Sequence, residues 1–282
     1  VWDYGTVAIC ALAALCLSKW AWEADYPNFS TETVGNGFGQ GSFGRGARKL
    51  APPACYRLLF PCLVYPDRSE APYETPEFSW PRWIWYQSLR FLVILTGLLI
   101  LTASVGIPIT LVSGALFGLT LRFDYWSNAV EFLAVGCVIA GGVFGWHWGA
   151  CLAIGIVLGT GRETLPFLAL VGTPQAVSLG AGAAIGQVAV RCFVRTEAHW
   201  KDALEYATPM WRTNWDSLRG IHGANYQWCI GIYLLVALLA ATTVPLLAVS
   251  LVLVTALVAR IDEPRVLTML TPFAAIGAMK WL

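Results

Sequence analysis

Apolar runs follow one another along this chain with little between them, at about 5–22, 84–104, 107–121, 127–144, 146–160, 163–190, 228–243, 245–260 and 265–282. A helix that crosses a bilayer needs roughly 20 such residues, and segments covered by neighbouring helices can be shorter. The expected fold is therefore all-α, a polytopic transmembrane helical bundle with about eight or nine membrane segments, some of them short or re-entrant. It forms a single integral membrane domain over residues 1–282. Gly106 with Pro108, and Thr243 with Pro245, punctuate two of the longer runs and mark the places to divide or kink them.

Composition agrees with that solvent. The chain is 57% hydrophobic and 12% charged, with mean hydropathy +0.62, where a soluble domain carries about 25% charged residues. A net charge of +1 and the lack of any Lys/Arg cluster able to track phosphates argue against nucleic-acid binding. Many of the 14 Trp, among them Trp20, Trp22, Trp83, Trp85, Trp126, Trp228 and Trp281, stand where apolar sequence meets polar, as indoles do at the headgroup level. Five of the eight Cys (Cys10, Cys16, Cys137, Cys151, Cys229) fall inside apolar segments, where a thiol acts as a small hydrophobe. Cys55 and Cys62 flank a loop motif and are the pair that an oxidising compartment would bridge. The run from Thr6 to Leu17 has no basic n-region and is followed by Lys19, so it reads as a retained helix and not as a signal peptide.

Two polar regions interrupt the runs. The first, 23–83, is a long polar loop with a Gly-rich stretch from Gly35 to Gly46 and a short apolar piece, Leu58 to Tyr65, that suits the interface. The second, 191–227, carries Arg191, Arg195, Lys201, Arg212 and Arg219, and its 200–211 part suits a surface helix. A positive-inside reading puts this second loop in the cytoplasm, and counting back through the runs puts the first loop outside. Gly141, Gly145 and Gly149, Gly155 with Gly159, and Gly182 with Gly186 recur every four residues and offer small faces for close helix crossing. Gly39-x-Gly41-x-x-Gly44 matches a dinucleotide pattern by letter only, since it follows no predicted strand. His147, His199 and His222 have no i,i+4 partner, so no histidine metal site is expected.

The charged residues among the runs carry the chemistry, because an ion in hydrocarbon is costly unless it pairs or lines a cavity. Glu23 and Asp25 sit one residue apart just past the first run, placed to take a proton from a hydroxyl or to hold a divalent cation. The alternative is an interfacial pair of acids. Arg162 beside Glu163, between two runs, suits a phosphate on the guanidinium fork with Glu163 fixing the rotamer, or a salt-bridged helix boundary. Arg57 is a second candidate anion ligand or a snorkelling anchor. Asp124, with Glu131, brackets the start of another run, and Asp262, Glu263 and Arg265 precede the last.

Tyr56-Arg57-Leu58-Leu59-x-Pro61, Phe123-Asp124-Tyr125 with Glu131, Arg162-Glu163-Thr164, and Asp262-Glu263-Pro264-Arg265 with Pro272 resemble, in order, the motifs of an uncharacterised family of prokaryotic multi-span proteins. The resemblance covers most of the chain, from about 50 to the end. That family is in turn distantly similar to GT-C glycosyltransferases and polysaccharide polymerases. The resemblance implies a prokaryotic plasma-membrane enzyme acting on polyprenyl-phosphate-linked sugars, with Glu23 or Asp25 as base. Arg57 and Arg162 would then hold the lipid phosphate, with Asp124, Glu163, Glu263 and Arg265 among the residues that bind the substrate. The chain is short for such an enzyme. A second reading, a non-catalytic membrane subunit that packs against other subunits, fits its small size and its glycines and tryptophans. Transport ranks third, because the sequence displays no repeat halves with matched broken helices.

Overall fold

The computed structural model describes residues 3–28, 80–120, 127–193, 224–258 and 264–281, and among them every regular element is helical. Nine α-helices and two 3₁₀ helices follow in order among the described residues. They are α1 (Tyr4–Asn28), α2 (Trp80–Val105), α3 (Ile107–Thr120), α4 (Ser127–Phe144), α5 (Trp148–Gly159), η1 (Leu165–Val171), α6 (Pro174–Phe193), α7 (Ala224–Ala240), α8 (Leu246–Val258), η2 (Pro264–Leu270) and α9 (Thr271–Met279). Among the described residues one stretch, Gln87–Val105 in α2, is long and apolar enough to cross a membrane; Tyr4–Lys19, Ile107–Thr120, Asn128–Phe144, Trp148–Gly159, Ile230–Ala240 and Leu267–Met279 are apolar but shorter. The expected surface helix at 200–211 and the short apolar piece 58–65 lie outside the described residues.

The helices begin and stop for local reasons. Asp3 Oδ1 accepts from Thr6 N–H at 2.6 Å and caps α1. His147 Nδ1 accepts from Gly149 N–H at 3.1 Å and caps α5. Gly106 and Gly145 take positive φ in the turns that end α2 and α4, so Gly145 is a turn residue and not a member of the crossing face expected with Gly141 and Gly149. Thr243 Oγ1 ties the turn before Pro245 to Phe273 O at 2.9 Å.

Side-chain pairings fix the direction of each element. Cys10 meets Thr102 at 3.4 Å and Arg90 donates to Ser18 O at 3.1 Å, so α1 and α2 are antiparallel. A Cβ on Gly97 would touch Phe132, and one on Gly136 would approach Gly97 O and Leu101, so α2 and α4 run the same way. Phe117 stacks on Phe132 with centroids 4.4 Å apart, and Thr120 meets Thr268 at 3.2 Å, which seats α3 and η2 against the start of α4. Two ends result. One holds the tight turns at Gly106, Gly145, Gly172 and Thr243. From the other, here the polar end, leave the chain segments 29–79, 121–126, 194–223 and 259–263. Because α1 and α6 both finish at this end, the segments that follow them leave the described helices from the same end, whereas the sequence reading puts the two polar loops on opposite sides.

The run 163–190, read from sequence as one segment, is two elements. After α5 ends at the polar end the chain turns through 160–164, descends as η1, reverses at Gly172 (φ 83°) and climbs again as α6. A Cβ on Gly155, Gly159, Gly182 or Gly186 would overlap the backbone of the facing helix at Leu179, Ala183, Leu152 or Ile156 respectively. Both helices therefore rise together, in parallel, at backbone contact, which is the crossing that the four-residue glycine spacing predicts.

Four of the identities 98 residues apart, Arg162 with Arg260, Pro166 with Pro264, Thr173 with Thr271 and Pro174 with Pro272, accompany a helix order, two α-helices, a 3₁₀ helix and an α-helix, that occurs twice among the described residues. The packing is not repeated: Gly172 is left-handed and reverses the chain so that α6 lies along α5, whereas Leu270 is right-handed (φ −92°), η2 passes directly into α9, and α9 packs against α7 at Leu239.

Candidate functional site

The polar end is where charge is buried. Glu131, one turn into α4, is 1% exposed, and Arg162, just past α5, is 4% exposed. Arg162 Nε donates to Glu131 Oε1 at 2.7 Å and to Thr164 Oγ1 at 3.3 Å. Thr164 Oγ1 donates in turn to the same carboxylate oxygen. The break between α5 and η1 thus wraps an arginine and a hydroxyl around a carboxylate that lies 31 positions earlier in the chain. Gln187 Nε2 donates to Gly159 O at 2.5 Å, pinning the end of α5 against α6 just beside this break.

Glu131 Oε2 is buried with no hydrogen-bond partner, and so are both heteroatoms of Asn128. Asn128 is 0% exposed and lies three residues before Glu131, hence on the same face of α4. Orphaned polar atoms of this kind cost roughly 1–3 kcal/mol each unless something compensates. The arrangement therefore offers a carboxylate oxygen and a carboxamide that can both accept and donate, held in place by Arg162. Among the described residues no group of three His, Cys, Asp or Glu could hold a metal ion.

Of the residues proposed from sequence, Arg162 and Glu131 come together, while Glu163, half-buried, follows Arg162 in the break. The carboxylate on Arg162 Nε is Glu131 and not the neighbouring Glu163 expected to fix its rotamer. Glu23 and Asp25 lie in the last turns of α1 and Arg265 in η2, with side chains outside the described set. Arg57, Asp124 and Glu263 lie outside the described residues.

Asn128, Gln87 and Arg90 escaped the sequence reading. Asn128 and Arg90 each carried a signal. Asn128-x-x-Glu131 places two polar groups one turn apart on an otherwise apolar helix, and Arg90 interrupts the run 84–104. Arg90 is 0% exposed and donates to Gln87 Oε1 at 2.5 Å.

No family model, no curated protein and no solved structure matches the chain.

Proposed function

We propose that the chain is a multi-span integral membrane protein that carries a small polar solute across the bilayer, with its binding site at the break around Arg162. The observation that carries this reading is the break between α5 and η1, where Arg162, Thr164 and Glu131 are gathered beside the unpartnered Glu131 Oε2 and Asn128. α5 has 12 residues, and the five residues 160–164 separate it from the seven-residue, Leu-Pro-led η1. A broken helix is how many carriers build a site inside the membrane, because freed backbone groups and charges are tolerated there only around a cavity.

Burial supports the membrane setting. Leu238, Leu246, Leu234 and Leu12 are 72%, 70%, 66% and 64% exposed, while Arg90, Glu131 and Arg162 are at most 4% exposed. A protein that turns leucine outward and ions inward is arranged for an apolar solvent. Glu131 lies 13 residues from Phe144 at the tight-turn end, or about 20 Å at ~1.5 Å per residue, within a hydrocarbon layer ~30 Å thick. Asp3 and Lys280 are the charged residues at the tight-turn end; the others fall in the polar half or in the sequence that leaves from it. That bias supports a cytoplasmic polar end.

The transferase suggested by resemblance needs Arg162 on a lipid phosphate, but Arg162 Nε is engaged by Glu131 in a closed environment. The geometry favours a carrier over that enzyme. The test is accessibility. In a variant without native cysteines, Thr164→Cys in sealed proteoliposomes should react with a membrane-impermeant thiol reagent from either side, as alternating access requires. Reaction from the polar side alone, or from neither side, would exclude carriage.

A further inference from the structure

A second polar feature stands apart from the break. Between α1 and α2 a trough of about 720 Å³ opens, lined by Leu15, Phe91 and Leu92 along its apolar length and by Ser18, Lys19 and Gln87 toward the polar end. Arg90, buried beneath it, donates to Gln87 Oε1 at 2.5 Å and to Ser18 O at 3.1 Å. An arginine only donates, so this contact fixes which end of the Gln87 amide is oxygen and leaves the NH₂ as the remaining group. Gln87 Nε2 has no partner although the residue is 7% exposed, and Ser18 Oγ has none either.

We propose that this trough binds one anionic phospholipid, with the phosphate at Lys19, Gln87 and Ser18 and an acyl chain along Leu15, Phe91 and Leu92. The donor set decides the ligand. Lys19, Gln87 and Ser18, which carry an ammonium, an amide NH₂ and a hydroxyl, line the same trough with no acidic residue among the described lining, so the complementary group is an oxyanion rich in acceptors. The walls decide that the anion is attached to a hydrocarbon chain, because Leu15 and Leu92 are 56% and 51% exposed beside the donors. Depth agrees: Ser18 and Arg90 pair at the polar end, where positive charge meets anionic headgroups. The inference rests on the membrane setting proposed above and not on carriage.

The experiment reconstitutes the whole chain in phosphatidylcholine nanodiscs containing a minor share of phosphatidylglycerol, and counts the lipids retained by native mass spectrometry. Wild type should keep one phosphatidylglycerol in preference to phosphatidylcholine. Lys19→Ala, at an exposed position, should weaken retention about five-fold, the scale of one basic group near a membrane surface. Gln87→Leu should do so as well, whereas Lys280→Ala at the opposite end should change nothing. Equal retention in wild type and Lys19→Ala, or no preference for phosphatidylglycerol, would overturn the proposal. A Thr164→Cys protein labelled from one side only but still holding the lipid would remove the carrier and leave this site standing.

Discussion

Removing the Arg162 guanidinium would leave Glu131, 1% exposed, with Thr164 as its remaining contact in the break. Breaking a buried ion pair by deleting one partner costs about 3–5 kcal/mol, whereas replacing both by apolar groups is often near neutral. Arg162→Ala should therefore lower the unfolding free energy by about 3 kcal/mol or more, and Arg162→Leu with Glu131→Leu should recover most of that loss. Denaturant unfolding in mixed micelles measures both, and additive losses in the double variant would contradict the pairing. Asp3 offers a pH counterpart outside the apolar helices. Its carboxylate is held below the ordinary range, first by the Thr6 N–H and then by the Thr6 hydroxyl. The cap thus contributes at pH above the ordinary Asp range and is lost as pH falls through the lowered value. The Thr6 amide shift should titrate with a midpoint below that of an unstructured Asp, and a midpoint at or above it would contradict the cap. Sequence revealed Arg162 because charge stands out between apolar runs, but its partner is 31 positions away and only packing could name it.

At the scale of elements, the α5–α6 crossing and the reversal at Gly172 carry the shape of the first unit. A methyl on Gly182 would overlap Leu152 O, so Gly182→Ala should destabilise by about 1–3 kcal/mol through overpacking. Thermal unfolding with no loss would mean that the two helices are not in backbone contact. Gly172 has open space around its Cβ position but a left-handed backbone, and Gly172→Ala should cost about 1–2 kcal/mol by conformation alone. Most helices were legible from apolar runs bounded by Gly and Pro, including the divisions at Gly106 and Pro245. The split of 163–190 was not, because η1 and α6 are both apolar and the reversal rests on the backbone of one glycine.

At the scale of the molecule, the described helices have a tight-turn end and a polar end, and buried Glu131 and Arg162 and the trough between α1 and α2 belong to the polar half; the proposed membrane setting turns those two ends into two sides. Sidedness of the long connections tests this most directly. Single cysteines replacing Gln40 and Thr208, in the segments 29–79 and 194–223, and Gly145 in the tight turn would be probed with an impermeant thiol reagent in sealed right-side-out vesicles. Gln40→Cys and Thr208→Cys should be protected together until the membrane is opened, while Gly145→Cys reacts at once. Reaction of the first two from opposite sides of the membrane would contradict the architecture and everything built on its polar end.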